Sequence, residues 1–547
     1  MRLQCRAGDG AYMSRKPLAL AIVLLALTPA FYLAWVARDM PHFGHLHDDS
    51  IYWVSAKSLA EWKGYRILSL PAEPYETKYP PLWPLALAAV WKVDSRFPEN
   101  LCLAMPVAWL MLPLLVALAW RWFRDAGFGV PTAAALCAAL ALSPWVVFLS
   151  TTLMSELAFS VLLLGALLAI ERAVRKNSMA FAAGFFAAAA YLTKTAALPL
   201  LIVGPLWLVL RRRYRPAAMF FCAMLPAVVA WTVWTRGHMT HATDLVSLYY
   251  TNYLGYQIYN IGWRDLPIVV WKNLDGVFSG IAGLMIFDLG KTPYGMFLAR
   301  FLAIGAIIGT VRLARRGITS YHWFAAVYTA ILLVWHFPPN ERFMLPVFPL
   351  LLAGLATEMT HLVEALKKAW QTSAANRAVA AAVATGLAAL ACLGVVMNAD
   401  AVFRQFPGII DQHRAVLASN RAAFAWIPHN VPGGAFYAYD DPVFFLYTGR
   451  HAASLPVAPM PFYREDREAI LRPFREMPAF AREQHLDYLL LTAADFHRDL
   501  PEKERAEVRR ILAGEGAFEL LYRSPLSSVY RVNQRKEVIA SADPQAR

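Results

Sequence analysis

Long apolar runs alternate with short polar clusters from residue 17 to residue 397, and then the alternation stops. Each run is about the length a helix needs to cross a bilayer, and lipid leaves a helix as the economical way to satisfy backbone hydrogen bonds. Spans are expected at approximately 17–37, 101–120, 130–150, 157–170, 179–193, 196–210, 217–235, 295–311, 321–336, 345–365 and 378–397, eleven in all. A cleaved leader would explain the first run, but it is long, lacks an A-x-A-like end and is followed by many further spans. Residues 398–547 turn charged and contain no spanning run, so the chain divides into a membrane part, 1–397, and a soluble part, 398–547. Within the latter, AFYAY (435–439), DYLLL (487–491) and SSVYRV read as strands and PFREMPAFAREQ (473–484) as helix, a small α/β domain, with a mainly helical cap as the alternative.

Composition agrees: 58% hydrophobic residues, 18 tryptophans and only 16% charged residues describe a membrane protein. The net charge of +14 invites a nucleic-acid reading, but the basic residues sit at the ends of apolar runs, where they mark the cytoplasmic side. They form six clusters: Arg2, Arg6, Arg15 and Lys16; Arg121 and Arg124; Arg172, Arg175 and Lys176; Arg211, Arg212, Arg213 and Arg215; Arg312, Arg315 and Arg316; and Lys367, Lys368 and Arg377. The opposite side then receives 38–100, 151–156, 236–294, 337–344 and everything after 397, which is where most of the unusual polar residues fall. No P-loop, GxGxxG, CxxC or HExxH occurs, and none of the five cysteines falls in the exported part.

Four outer stretches carry candidate chemistry. GHLHDDSIYW (44–53) sets Asp48 beside Asp49, followed by Tyr52; the plain reading is a helix start, the functional one a general base for an acceptor hydroxyl. YETKYPPLWP (75–84) places Lys78 ahead of two prolines, either as an interfacial lysine or as a phosphate ligand. STTLMSELAFS (150–160) puts Glu156 at a helix start, where the dipole tolerates an anion, and HFPPNERFMLPVFP (336–349) puts Arg342 next to Glu341, with Glu341 or a lipid phosphate as its anion. The aromatics of 249–263 fit sugar stacking or, better, an interfacial belt.

Together DDSIY, KYPPLWPL, MSE, YLTKTAALPLL (191–201) and ERFMLPVFPLL (341–351) resemble the GT-C glycosyltransferases, in the branch of protein O-mannosyltransferases and aminoarabinose transferases, over roughly residues 15–365. The resemblance implies a polytopic α-helical membrane fold with a small extracytoplasmic α/β domain. It implies sugar transfer, with inversion, from a polyprenyl-phosphate donor to a lipid, glycan or protein acceptor, at the bacterial inner membrane. By position Asp48 or Asp49 would be the base or the ligand of a divalent cation, Lys78 and Arg342 would hold the donor phosphate, and Tyr52, Glu156 and Glu341 would line the cavity. A divalent metal is left open as cofactor: Thr77 stands where such relatives carry an acid, and His42, His45 and His47 are substitute ligands or simply polar. The rival classes are a multi-span transporter or flippase, and a non-catalytic receptor or assembly factor.

Overall fold

The computed structural model describes residues 9–241, 244–497, 500–514 and 516–533; Arg2, Arg6 and the end of the 398–547 segment lie outside them. Its contacts divide the chain into two units. The first comprises Met1–Ile67 with Pro74–Arg414, the second Leu68–Glu73 with Ala415–Arg547.

Unit one is a bundle of helices and belongs to an integral membrane protein. Among the described residues seven helical segments are long and apolar enough to cross a membrane: Pro17–Val36, Leu101–Asp125, Tyr214–His238, Trp263–Met285, Pro293–Arg316, Glu341–Trp370 and Ala374–Asn430. Shorter apolar helices cover Leu82–Val93, Val130–Ala141, Met179–Thr193 and Thr195–Leu210. The run expected to span 130–150 is broken before Pro144 into Val130–Ala141 and Pro144–Leu149. Small residues allow close helix crossings, as they do wherever lipid supplies no hydrophobic drive between helices. Where Pro293–Arg316 meets Phe348–Trp370, a Cβ on Gly309 would lie 1.9 Å from the Gly354 carbonyl oxygen, and one on Gly354 would lie 2.2 Å from Thr310 Oγ1.

Residues 236–294, expected as a long outer loop, contain a regular helix at Leu266–Met285. Its partners show how a helix of spanning length occurs there. Asn273 Nδ2 donates to the carbonyls of Leu332, Leu333 and Trp335 at 3.0, 3.1 and 2.8 Å. Gly276 faces Pro338 and Pro339, Gly280 faces Asn340, and Gly283 faces Glu341. At its far end Asn398 accepts from Phe287 N–H and donates to the Met285 carbonyl, both at 2.9 Å. The helix also packs on Pro293–Arg316, where Arg300 pairs with Asp275 at 2.7 Å. Lys272 and Asp275 on it lower its hydropathy to 1.2, the least apolar of the seven.

The second unit is built on a five-stranded sheet: β1 (Phe436–Tyr437), β2 (Ala452–Ala453), β3 (Tyr488–Thr492), β4 (Phe518–Arg523) and β5 (Ser527–Val532), in the order β2-β1-β3-β5-β4. The first pairings are parallel, and β5 runs antiparallel to both neighbours. Phe424 and Ile427, on the last turns of a helix ending at Asn430, pack with Phe436, Phe444, Leu490 and Val529 into one core. The segment Leu68–Glu73 joins this unit through Ala452 N–H on the Ser69 carbonyl at 2.8 Å and the Ser69 hydroxyl on Asp441 at 3.2 Å.

Candidate active site

The site starts at the first turn of the helix Asp48–Ala60, where the two adjacent acids are separated by local geometry. His47, at the N-cap with φ of 65°, sits in the left-handed region that side chains other than glycine seldom occupy, and it turns the chain sharply into the helix. Asp49 consequently faces back: it is 1% exposed, and its carboxylate accepts Gly44 N–H at 3.2 Å and Ser50 N–H at 3.1 Å. Asp48 faces the bundle, accepting the Tyr79 hydroxyl at 2.6 Å and pairing with Arg342 at 2.9 Å.

Arg342 comes from the Asn340–Met344 turn, whose start is fixed by Asn340 Oδ1 accepting Arg342 N–H at 3.1 Å. Its Nε lies 3.2 Å from Glu156 Oε1, and the same oxygen lies 2.8 Å from Lys194 Nζ. Asp48, Arg342, Glu156 and Lys194 thus form an unbroken line of alternating charge, with Glu156 only 1% exposed. Paired in this way, buried charges offset a desolvation cost that each alone could not bear.

Glu76 and Lys78 approach from the loop ahead of Leu82–Val93, a helix anchored by Trp83 Nε1 on the Leu153 carbonyl (2.7 Å) and Trp91 Nε1 on the Trp53 carbonyl (3.1 Å). Glu76 Oε1 accepts the backbone N–H of Lys78 at 2.7 Å and of Tyr79 at 3.0 Å, which fixes the local turn. Lys78 Nζ lies 3.5 Å from the ring centre of Tyr249, 4.9 Å from that of Tyr253 and 5.0 Å from that of Tyr79.

Burial shapes the ionisation of this cluster, and neighbouring charges correct it. Burial would raise Asp48, but Arg342 first and then Lys78 and the Tyr79 hydroxyl outweigh it and hold the carboxyl well below the usual carboxylate range. Burial pushes Glu76 up to about 7 against its backbone donors and Lys78. Burial brings Lys78 down to about 8, although Asp48 and Glu76 pull the other way.

The remaining residues singled out in the sequence divide between this cluster and other places. Tyr52 stacks edge-on with Tyr79 at 4.8 Å, and its hydroxyl bonds Ser155 Oγ at 3.1 Å. Glu341 turns instead toward Gly283, so the anions beside Arg342 are Asp48 and Glu156 and not its sequence neighbour. The three histidines diverge: His42 Nε2 meets the Thr151 carbonyl at 3.0 Å, His45 packs on the His413 ring, and His47 Nε2 meets the Tyr250 hydroxyl at 3.2 Å. Burial lowers His42 to about 4, leaving it neutral. Among the described residues no group of three or more His, Cys, Asp or Glu side chains is placed to hold a metal ion. Thr77 spends its hydroxyl on the Thr251 carbonyl at 2.7 Å.

Sequence reading missed Glu76, Tyr79 and Lys194, although all three lie inside stretches it had singled out. It also favoured an interfacial belt for 249–263, whereas Tyr250 is fully buried and Tyr249 and Tyr253 face Lys78; Trp263, 90% exposed, keeps the belt character.

The helical membrane unit thus holds a buried charged cluster, and the mixed-sheet unit follows it in the chain. No family model and no curated protein sequence matches the chain. Among solved structures it is similar in fold to ArnT from Cupriavidus metallidurans in the apo state, with a TM-score of 0.51 and 14% identity over 94% of this chain and 98% of that one. The same protein bound to undecaprenyl phosphate gives 0.48 and 14% over 96% and 98%. An archaeal oligosaccharyltransferase, AglB from Archaeoglobus fulgidus in complex with an inhibitory peptide and a dolichol-phosphate, gives 0.47 and 11% over 96% and 75%.

Proposed function

We propose that this protein is a membrane glycosyltransferase that takes a sugar from a polyprenyl phosphate and passes it to an acceptor hydroxyl. The observation that carries the reading is the placement of one carboxylate, Asp48, in contact with Arg342 and within the electrostatic reach of Lys78. Transfer needs both kinds of group: cations for the departing phosphate and a carboxylate for the proton of the incoming oxygen.

In the reaction the acceptor oxygen forms a bond to the anomeric carbon while the bond from that carbon to the phosphate oxygen breaks. The electron pair leaves with the phosphate, which Lys78 and Arg342 neutralise, and the acceptor proton passes to Asp48. Attack opposite the leaving group inverts the anomeric centre. Asp48 is ionised at neutral pH, the form that can accept a hydrogen bond from the acceptor hydroxyl, and Glu156 holds Arg342 from the other side. No step is assigned to a metal ion.

The basic clusters support an orientation with the site and the second unit facing away from the cytoplasm, and the family resemblance implies a bacterial inner membrane. A lipid-linked donor suits that face, where nucleotide sugars are not supplied. Hexose and pentose donors, and lipid, glycan and protein acceptors, all fit the class. Purified protein given polyprenyl-phosphate-linked radiolabelled sugars and candidate acceptors should move label to an acceptor; a protein that moves the lipid across vesicles with no transfer would instead be a transporter.

A further inference from the structure

The three cations of the site are held in two different ways. Lys194 and Arg342 are bonded to carboxylates, whereas among the described residues Lys78 Nζ makes no ion pair within salt-bridge distance and lies against three ring faces. Tyr249, with Nζ 3.5 Å from its ring centre, is the closest of the three. A ring face attracts an ammonium through its quadrupole and asks for none of its N–H groups as hydrogen-bond donors, and the attraction grows where water is excluded. Such a contact fixes a lysine and favours its charged form while leaving its donors for an anion.

The chain builds this arrangement deliberately. Tyr249 and Tyr253 lie on two short helices, Leu245–Thr251 and Tyr253–Asn260, that meet at Asn252. Each start is capped: Asp244 accepts Ser247 N–H at 2.9 Å and Asn252 accepts Gly255 N–H at 3.0 Å. The break turns both rings to one lysine, and the segment is tied down by Thr77 on the Thr251 carbonyl and Tyr250 on His47.

We propose that Tyr249, assisted by Tyr253 and Tyr79, is the positioning residue for Lys78, holding its ammonium charged and aimed so that its N–H groups remain available to the donor phosphate. The proposal rests on the polyprenyl-phosphate reading above. The charged groups acting on Lys78 are Asp48 from the helix Asp48–Ala60, Glu76 from its own loop and Arg342 from the facing turn, with His336 close to Tyr253. Removing a ring takes away support for the ammonium that none of these replaces, so Lys78 should lose its proton at a lower pH.

The test uses full-length protein in nanodiscs, with undecaprenyl phosphate as probe, and follows binding as a function of pH. Tyr249→Leu should weaken binding by about 5- to 30-fold and shift its alkaline midpoint toward acid. Tyr249→Phe, which keeps the face and loses only the hydroxyl, should stay within about twofold of the parent. Tyr253→Leu, from the more distant ring, should act in the same direction with a smaller effect, and it serves if Tyr249→Leu does not fold. Leucine variants with the parent's affinity and midpoint would overturn the positioning role, as would a phenylalanine variant as impaired as the leucine one. A parent protein that does not bind the probe at all would overturn the donor reading and this inference with it, a result distinct from a binding parent with unaffected variants.

Discussion

Two neighbouring aspartates with opposite orientations make a sharp comparison at the level of single side chains. Asp48→Asn keeps the shape and removes the charge that pairs with Arg342, so transfer should fall by about 100-fold or more in a turnover assay while the protein still inserts. Asp49→Asn should keep most of its turnover and lower the melting temperature, because its carboxylate is spent on the backbone N–H groups of Gly44 and Ser50. Lys78 gives a prediction in pH. Its ammonium, brought down to about 8 by burial, is present below that value and is lost above it. Binding of a polyprenyl phosphate should therefore decline as pH rises through about 8, and Lys78→Arg should remove that decline at some cost in affinity, since a guanidinium stays charged. Asp48, Lys78 and Arg342 could be picked out from sequence because charges beside long apolar runs are conspicuous. Glu76 and Lys194 could not: each is conspicuous only once the bundle has buried it against a specific partner.

Among the helices, the crossing of Pro293–Arg316 over Phe348–Trp370 ties the Arg342 turn to the bundle, and it depends on the absence of two side chains. Gly354→Val would press into Thr310 and the Ala306 carbonyl and should destabilise the protein by about 1–3 kcal/mol, read as a lower unfolding temperature in detergent. Gly305→Ala, one turn from Gly309 and with nothing within 4 Å, should keep that temperature or raise it slightly. Hydrophobic period and length made most of the bundle legible, together with the strands at AFYAY, DYLLL and SSVYRV. They misjudged Leu266–Met285, where Lys272 and Asp275 interrupt the run and hide a helix whose glycine face packs on residues 338–341. By length and composition the helix is one of the seven that could cross a membrane.

For the molecule as a whole, a single outer segment at 236–294 has a measurable consequence: both ends of that helix should lie on the same face. Single cysteines at Asp265 and Lys291 should both be labelled by a membrane-impermeant thiol reagent from the side that labels a cysteine after residue 400, and neither from the side of Arg213. Opposite labelling of Asp265 and Lys291 would make the helix a span. The division into two units carries a consequence of a different kind, for the order of synthesis. The second unit is not one stretch of chain, since Leu68–Glu73 leaves the ribosome with the first seventh of the protein and Ala415 onward with the last quarter. The hydrogen bond from Ser69 to Asp441 joins positions 372 residues apart. Those six residues must therefore wait, already made, while nearly the whole membrane part is translated and inserted. A ribosome-stalled or truncated chain ending before Asp441 would present them without the sheet they complete. Maturation of the second unit is thus a late event, timed by the arrival of the carboxyl-terminal segment.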